Sequence, residues 1–233
     1  MAIQRLALSD IIEEIRRNLG EPTAAQSHID DADLVRVING YGQRLQMRMA
    51  SVRRELGKYG MPYLNMWKTS INSTTGVGIA NFTVSQGSST VTFPDDYNLY
   101  ISFYDRTTNR PIDVTSRVSK WHFERLKEAP AGPPEAIELT DRIAASNRQQ
   151  ATLYPAPLSS VTPDIEMFYW RYPATMPNTA PTAEYPDADI QFHWMWVDGP
   201  TAQLMAPSDP AFNRFHDRER EGLMDLAVKA TWI

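Results

Sequence analysis

The 233-residue sequence predicts an α+β protein: a small helical bundle built from the N- and C-terminal segments, with an antiparallel β-sandwich or barrel-like domain inserted between them. Three observations predict it. Apolar residues recur at helical spacing through the first third of the chain, the period falls to two from about residue 70, and helical spacing returns after a proline-rich stretch. The expected divisions are 1–66 for the N-terminal helices, 67–175 for the β-domain, and 176–233 for the proline linker and the helices completing the bundle.

Ser9 is the expected N-cap of the first helix, with Asp10, Glu13 and Glu14 in its first turns, where the helix dipole favours acids. Ile11, Ile12, Ile15 and Leu19 make one face, and Gly20 before Glu21-Pro22 ends the helix. A second helix starts at Asp30 or Asp31. Its apolar positions, Leu34, Ile38, Tyr41, Leu45, Met49, Val52 and Leu56, form a narrow seam. If continuous over 31–57 it is roughly 40 Å long. Gly40 and Gly42 argue against continuity, each costing about 1 kcal/mol relative to alanine, or else they admit a close helix neighbour.

Segments 78–84 and 89–93 read as a hairpin turning at Gln86-Gly87-Ser88. Strands at 99–104, 111–114, 136–139, 151–154 and 165–172 follow, with a short helix over 119–127. That gives about seven strands, the number a small sandwich needs. In VTFPDDY, Pro94 ends a strand and Asp95 and Asp96 are expected to bond the local backbone. The stretch PATMPNTAPTAEYP, 173–186, is a linker by composition. Asp187 or Asp189 then caps a helix through Ile190, Trp194 and Val197, broken or kinked at Gly199-Pro200, and Ser208-Asp209-Pro210 starts the last helix.

On that last helix Phe212, Phe215, Leu223, Leu226, Ala230 and Ile233 share a stripe suited to packing on the second helix. Glu219 falls inside the stripe and needs an arginine, Arg44 or Arg48, or else faces another chain. Met224, Val228 and Trp232 form a second stripe on the opposite side, and a helix apolar on two faces is normally buried on both. The second stripe is therefore a candidate partner interface, with Trp232 its anchor.

Charge is uneven along the chain, whose formal net is −5. Arg36, Arg44, Arg48, Arg53, Arg54 and Lys58 stand against Glu55 in 36–58, whereas Arg171 stands alone against six acids in 160–200. Such asymmetry suits surfaces that meet other surfaces, copies of the same chain included. The basic residues are too spread for sequence-specific nucleic-acid binding. With no cysteine, disulfides and thiolate chemistry are excluded, and a cytoplasmic folding compartment is expected. No apolar run of about 18 residues is present, so no membrane span is expected. His28, His122, His193 and His216 match no metal-ligand spacing, and no nucleophile elbow or phosphate loop occurs. No cofactor, metal site or catalytic residue is expected.

The N-terminal helices, the strand–Pro–Asp–Asp–Tyr corner at 93–97, the LYPAP turn followed by IEMFYWRYP, the proline linker and the C-terminal helical pair together resemble bacteriophage head-to-tail adaptor proteins. The resemblance implies a virion protein of the head–tail junction, made in the host cytoplasm and assembled as a ring, a dodecamer in many such proteins. The ring lies beneath the portal and joins it to a tail or nozzle protein, and DNA passes through its lumen without being read. It also implies that the C-terminal segment meets the portal, here through Met224, Val228, Trp232 and Ile233. Arg44, Arg48, Arg53, Arg54 and Glu219 are then charges of the bundle or of subunit contacts. Two alternatives stand beside this reading. One is another phage neck or tail protein. The other is a β-sandwich binding module, for instance for carbohydrate, with Tyr97, Tyr100, Trp121 and Trp170 as a stacking platform.

Overall fold

A computed structural model describes residues 5–21, 28–54, 62–73, 83–84, 86–140 and 148–232. The fold is α+β. Its elements begin with α1 (Leu8–Asn18), α2 (Asp31–Arg54), β1 (Pro62–Tyr63), β2 (Lys68–Asn72), β3 (Thr83–Val84), β4 (Thr90–Thr92), β5 (Tyr97–Asp105) and β6 (Arg110–Val114). They continue with α3 (Lys120–Glu128), β7 (Ala136–Thr140), β8 (Gln150–Tyr154), β9 (Ile165–Arg171), α4 (Met195–Leu204), α5 (Phe212–Lys229) and β10 (Thr231–Trp232). The chain divides into two compact units, Met1–Trp67 with Pro173–Ile233, and Lys68–Tyr172.

In the helical unit, α1 begins at Leu8, one residue before the expected cap Ser9. Ala7 occupies the cap, and its N–H donates to Asp10 Oδ2 at 3.1 Å. The orphan N–H groups of Leu8 and Ser9 donate to the carbonyls of Glu184 (2.9 Å) and Pro181 (3.1 Å). The proline-rich stretch is thus irregular, as its composition requires, yet tied down. Asn39 of α2 holds it further on, donating to Met176 O at 3.0 Å and accepting from Met176 N at 2.8 Å. The helix α2 runs unbroken through Gly40 and Gly42, and its seam residues Leu34, Ile38, Tyr41, Leu45 and Met49 are fully buried. Gly42 is there for proximity: a Cβ on it would lie 3.1 Å from Trp196 Nε1, and Trp196 stands edge-on to Tyr41 at 5.8 Å. Buried Arg16 ties α1 to the start of α2 through Asp31 Oδ1 at 2.6 Å.

The Gly199-Pro200 pair does not end α4; the helix continues through it. Residues 195–202 are all buried, so packing on every side supplies what the lost proline N–H does not. Glycine at 199 is required by space, since a Cβ there would sit 2.1 Å from the Tyr41 ring. Ahead of α4 only a 3-10 turn, Ile190–Phe192, replaces the expected capped helix. Likewise Asp209 bonds Ala211 N at 2.8 Å in a turn, and α5 begins at Phe212, later than the proline signal placed it. The helix stops at Lys229, and Thr231–Trp232 pair antiparallel with Pro62–Tyr63.

In the β-unit, eight strands form one curled sheet in the order β2-β9-β5-β6-β7-β8-β4-β3. It is mixed rather than purely antiparallel. The β6–β7 pair is parallel, Asp113 opposite Ala136, because the connection between them carries α3 and returns the chain to the same end. Ser119 caps α3, accepting from His122 N at 3.3 Å. The long central strand β5 is bulged against β9. Alternation puts Phe103, Ile165, Met167, Tyr169, Ile112, Ile137 and Leu153 into one core, with Phe93 edge-on to Tyr97 at 4.7 Å. The hairpin expected from residue 78 is described from Thr83, where β3 meets β4. Residues 74–82, together with Leu56 of the seam, lie outside the described residues.

Candidate functional site

The helical unit carries a charged layer through its core. Glu219 shares the inward stripe of α5 with Phe215, Leu223 and Leu226 and is 1% exposed. Arg48 of α2 answers it, Nε donating to Oε1 at 2.7 Å, with the guanidinium 5.4 Å over the Tyr41 ring. Asp198 of α4, 2% exposed, faces Arg218 Nε of α5 at 3.1 Å. Burial raises the Tyr41 hydroxyl well above its usual range, and the Glu219 charge adds to the effect. Burial also pushes Asp198 up to about 6, against the pull of Arg218 and Arg214. Removing one member of such a pair strands a buried charge, which costs about 3–5 kcal/mol. Arg48 and Glu219 therefore act first as packing.

Each pair forms part of the wall of a surface cleft. One, about 400 Å³, is bordered by Arg48, His216, Glu219 and Arg220. The other, about 530 Å³, runs between α1, α4 and α5 past Glu14, Trp194, Asp198 and Arg218. Arg17 beside it is already paired with Glu13 (2.8 Å) and Glu14.

The remaining charges singled out in the sequence are spread. Arg44 is exposed, with Nε donating to Gly40 O at 2.9 Å and Nη2 to Gln203 Oε1 at 3.2 Å. The side chains of Arg53 and Arg54 lie outside the described residues. On the outer stripe of α5, Val228 is 70% exposed and Met224 is half-buried. Trp232 enters β10 rather than the helix, so it leaves the stripe; its side chain and Ile233 lie outside the described residues.

The aromatic platform is not assembled. Tyr97 and Trp170 are each 7% exposed, inside the structure, and Trp121 alone of the four stands in solvent, 72% exposed. Asp95 and Asp96 also bond distant groups: Arg148 reaches Asp95, and the Tyr169 hydroxyl donates to Asp96 at 3.0 Å. His193 is a buried clasp. Its Nδ1 accepts from Leu6 N at 3.3 Å, its Nε2–H faces Ala188 O at 3.1 Å, and burial lowers its basicity. Nothing in the sequence marked His193 for this, because both of its partners are backbone. Among the described residues no group of three His, Asp or Glu side chains could hold a metal ion, and no helix is long and apolar enough to cross a membrane.

The ion pairs are thus absorbed into packing, while Val228 and Trp121 stand exposed. Comparison with protein families gives the class: the model described as SU10 adaptor protein matches residues 6–230. The chain belongs to this family of phage head-to-tail adaptors, and so is a structural component of the virion at the head–tail junction. A search of curated proteins finds no match.

Proposed function

We propose that the protein assembles as a ring beneath the portal, links the portal to a tail or nozzle protein, and lets DNA pass through the lumen without reading it. The family match over residues 6–230 carries this reading. The role is mechanical, and the ion pairs Arg48–Glu219 and Arg218–Asp198 along the two clefts serve the fold. The portal is met by the outer stripe of α5, where Val228 and Met224 stand, and by the chain end at Trp232 and Ile233. Arg44, with Arg53 and Arg54, faces an acidic neighbour, and head-to-tail contacts of this kind close into rings, with a dodecamer the expected state.

Mass photometry of the protein, alone and mixed with rings of the cognate portal, tests the reading. A gain of about one adaptor per portal subunit is expected, the stoichiometry of a ring matched copy for copy. A portal mass unchanged by mixing would overturn it. Val228→Lys, at an exposed position, should lower portal affinity at least tenfold and leave the melting temperature unchanged. Deleting 231–233 is a poorer probe because it also removes β10.

A further inference from the structure

The β-unit has two features that its own packing does not use. The first is Trp121. On α3, Leu126 is buried and Phe123 packs edge-on to Tyr154 at 5.2 Å. At 100° per residue, these contacts turn Trp121 to the far side of the helix, where it is 72% exposed, the most exposed large apolar side chain described. Arg125, one turn on, lies with its guanidinium 5.5 Å from the indole. Trp and Arg are both among the residue types enriched in interface hot spots.

The second is a slot of about 110 Å³ walled by Pro133, Pro134, Pro157, Leu158, Val161 and Pro163. Its lining is almost wholly apolar, and it is far below the roughly 300–1,000 Å³ of small-molecule pockets, a size for a single side chain. The walls are fixed. Gly132 N donates to Ala156 O at 2.9 Å, Val161 N to Leu158 O at 2.9 Å, and Gly87 N to Val161 O at 3.0 Å. Asp164, which follows the slot residue Pro163 in the chain, is half-buried, and no cation pairs with its carboxylate among the described residues.

We propose that Trp121 of one copy seats in this slot on a neighbouring copy, its indole face against the prolines, while Arg125 comes to the Asp164 carboxylate. The occupant is a second copy because one unit carries both halves of the match: a cationic aromatic knob, and an apolar slot followed in the chain by a half-buried carboxylate that has no cation beside it among the described residues. A patch complementary to a pocket elsewhere on the same molecule makes a heterologous contact, which propagates and closes when the rotation allows. The inference rests on the ring reading and supplies it with a subunit contact.

The natural absence of cysteine makes the test clean. Lys120 and Ser160 are exposed positions beside the knob and the slot, so the full chain carrying Lys120→Cys and Ser160→Cys keeps both intact. On the portal-assembled protein, a short bismaleimide should give a ladder beyond the dimer, whereas either single variant, with no cysteine opposite its own across the contact, should stay monomeric. Adding Trp121→Ala, or Leu158→Glu at the slot mouth, should cut the ladder at least tenfold with an unchanged melting temperature. An undiminished ladder, or a bridge confined to one chain, overturns the contact. If the portal gains mass but no ladder forms, the contact falls and the ring reading stands; if neither occurs, both fall.

Discussion

Two buried carboxylates, one sequence-visible and one not, show what a single position can reveal. Glu219 interrupts an apolar stripe, and a charge there demands a cation, which Arg48 provides. Asp198 lies in a segment whose neighbours are buried on all sides, so no stripe marked it. Its behaviour has a definite sign. The folded-state value, about 6, lies above the usual 3.8, so ionisation costs more in the folded protein than in the unfolded chain. The associated stability is fully present below pH 3.8 and is lost as pH rises through about 6. The shift corresponds to about 3 kcal/mol at most. Asp198→Asn removes the titration. Chemical denaturation from pH 4 to pH 7.5 should show the wild type losing stability relative to Asp198→Asn as pH rises, by up to about 3 kcal/mol. A constant difference across that range would mean Asp198 is ionised throughout.

At the scale of elements, the stretch 173–186 separates composition from behaviour. Its prolines exclude a helix, yet carbonyls of Pro181 and Glu184 cap α1, and Asn39 grips Met176 from both sides. Asn39→Ala leaves a donor and an acceptor of Met176 without their partner, and a loss of about 1–3 kcal/mol is expected. Faster proteolysis within 173–186 at unchanged helical content is the readout; unaltered cleavage would show that the α1 caps alone hold the stretch. What was legible from sequence was whatever a period or a cap encodes. The seam of α2, the strands β5 to β9 and the helix α3 all follow apolar spacing. The strand β2 was missed, because Lys-Thr-Ser-Ile-Asn lies at the edge of the sheet and one apolar residue in five makes no alternation. The passage of α4 through Gly199-Pro200 was missed too: the glycine answers to Tyr41, distant in sequence, and a helix buried all round has no face to read. The candidate site was legible only as types of residue. Spacing put Val228 on an outer stripe but could not foresee that Trp232 would leave the helix for β10.

For the whole molecule, the strand pairing bears on independence. Lys68, the first residue of the β-unit, stands directly across from Trp170, close to its last, in the β2–β9 ladder. Directly opposed residues in an antiparallel pair lie about 4.5–5.5 Å apart between Cα atoms. The chain therefore leaves and re-enters the helical unit through two adjacent strands, the geometry in which one domain can be inserted into another without disturbing either core. Each unit also has its own buried cluster, one including Leu8, Leu34 and Leu226 and the other Val84, Val91 and Tyr169. Residues 68–172 expressed alone should thus unfold in a single cooperative transition, with an enthalpy of about 70 kcal/mol near 60 °C at ~0.7 kcal/mol per residue. The complementary chain, 1–67 joined to 173–233 by about two or three Gly/Ser residues, needs only to span the gap between paired strands. It should keep its helical signal and melt cooperatively. Calorimetry distinguishes the outcomes. Two separate transitions whose enthalpies sum to that of the full chain would establish independent units, whereas a β-unit that fails to melt cooperatively on its own would mean the helical unit is needed to hold it folded.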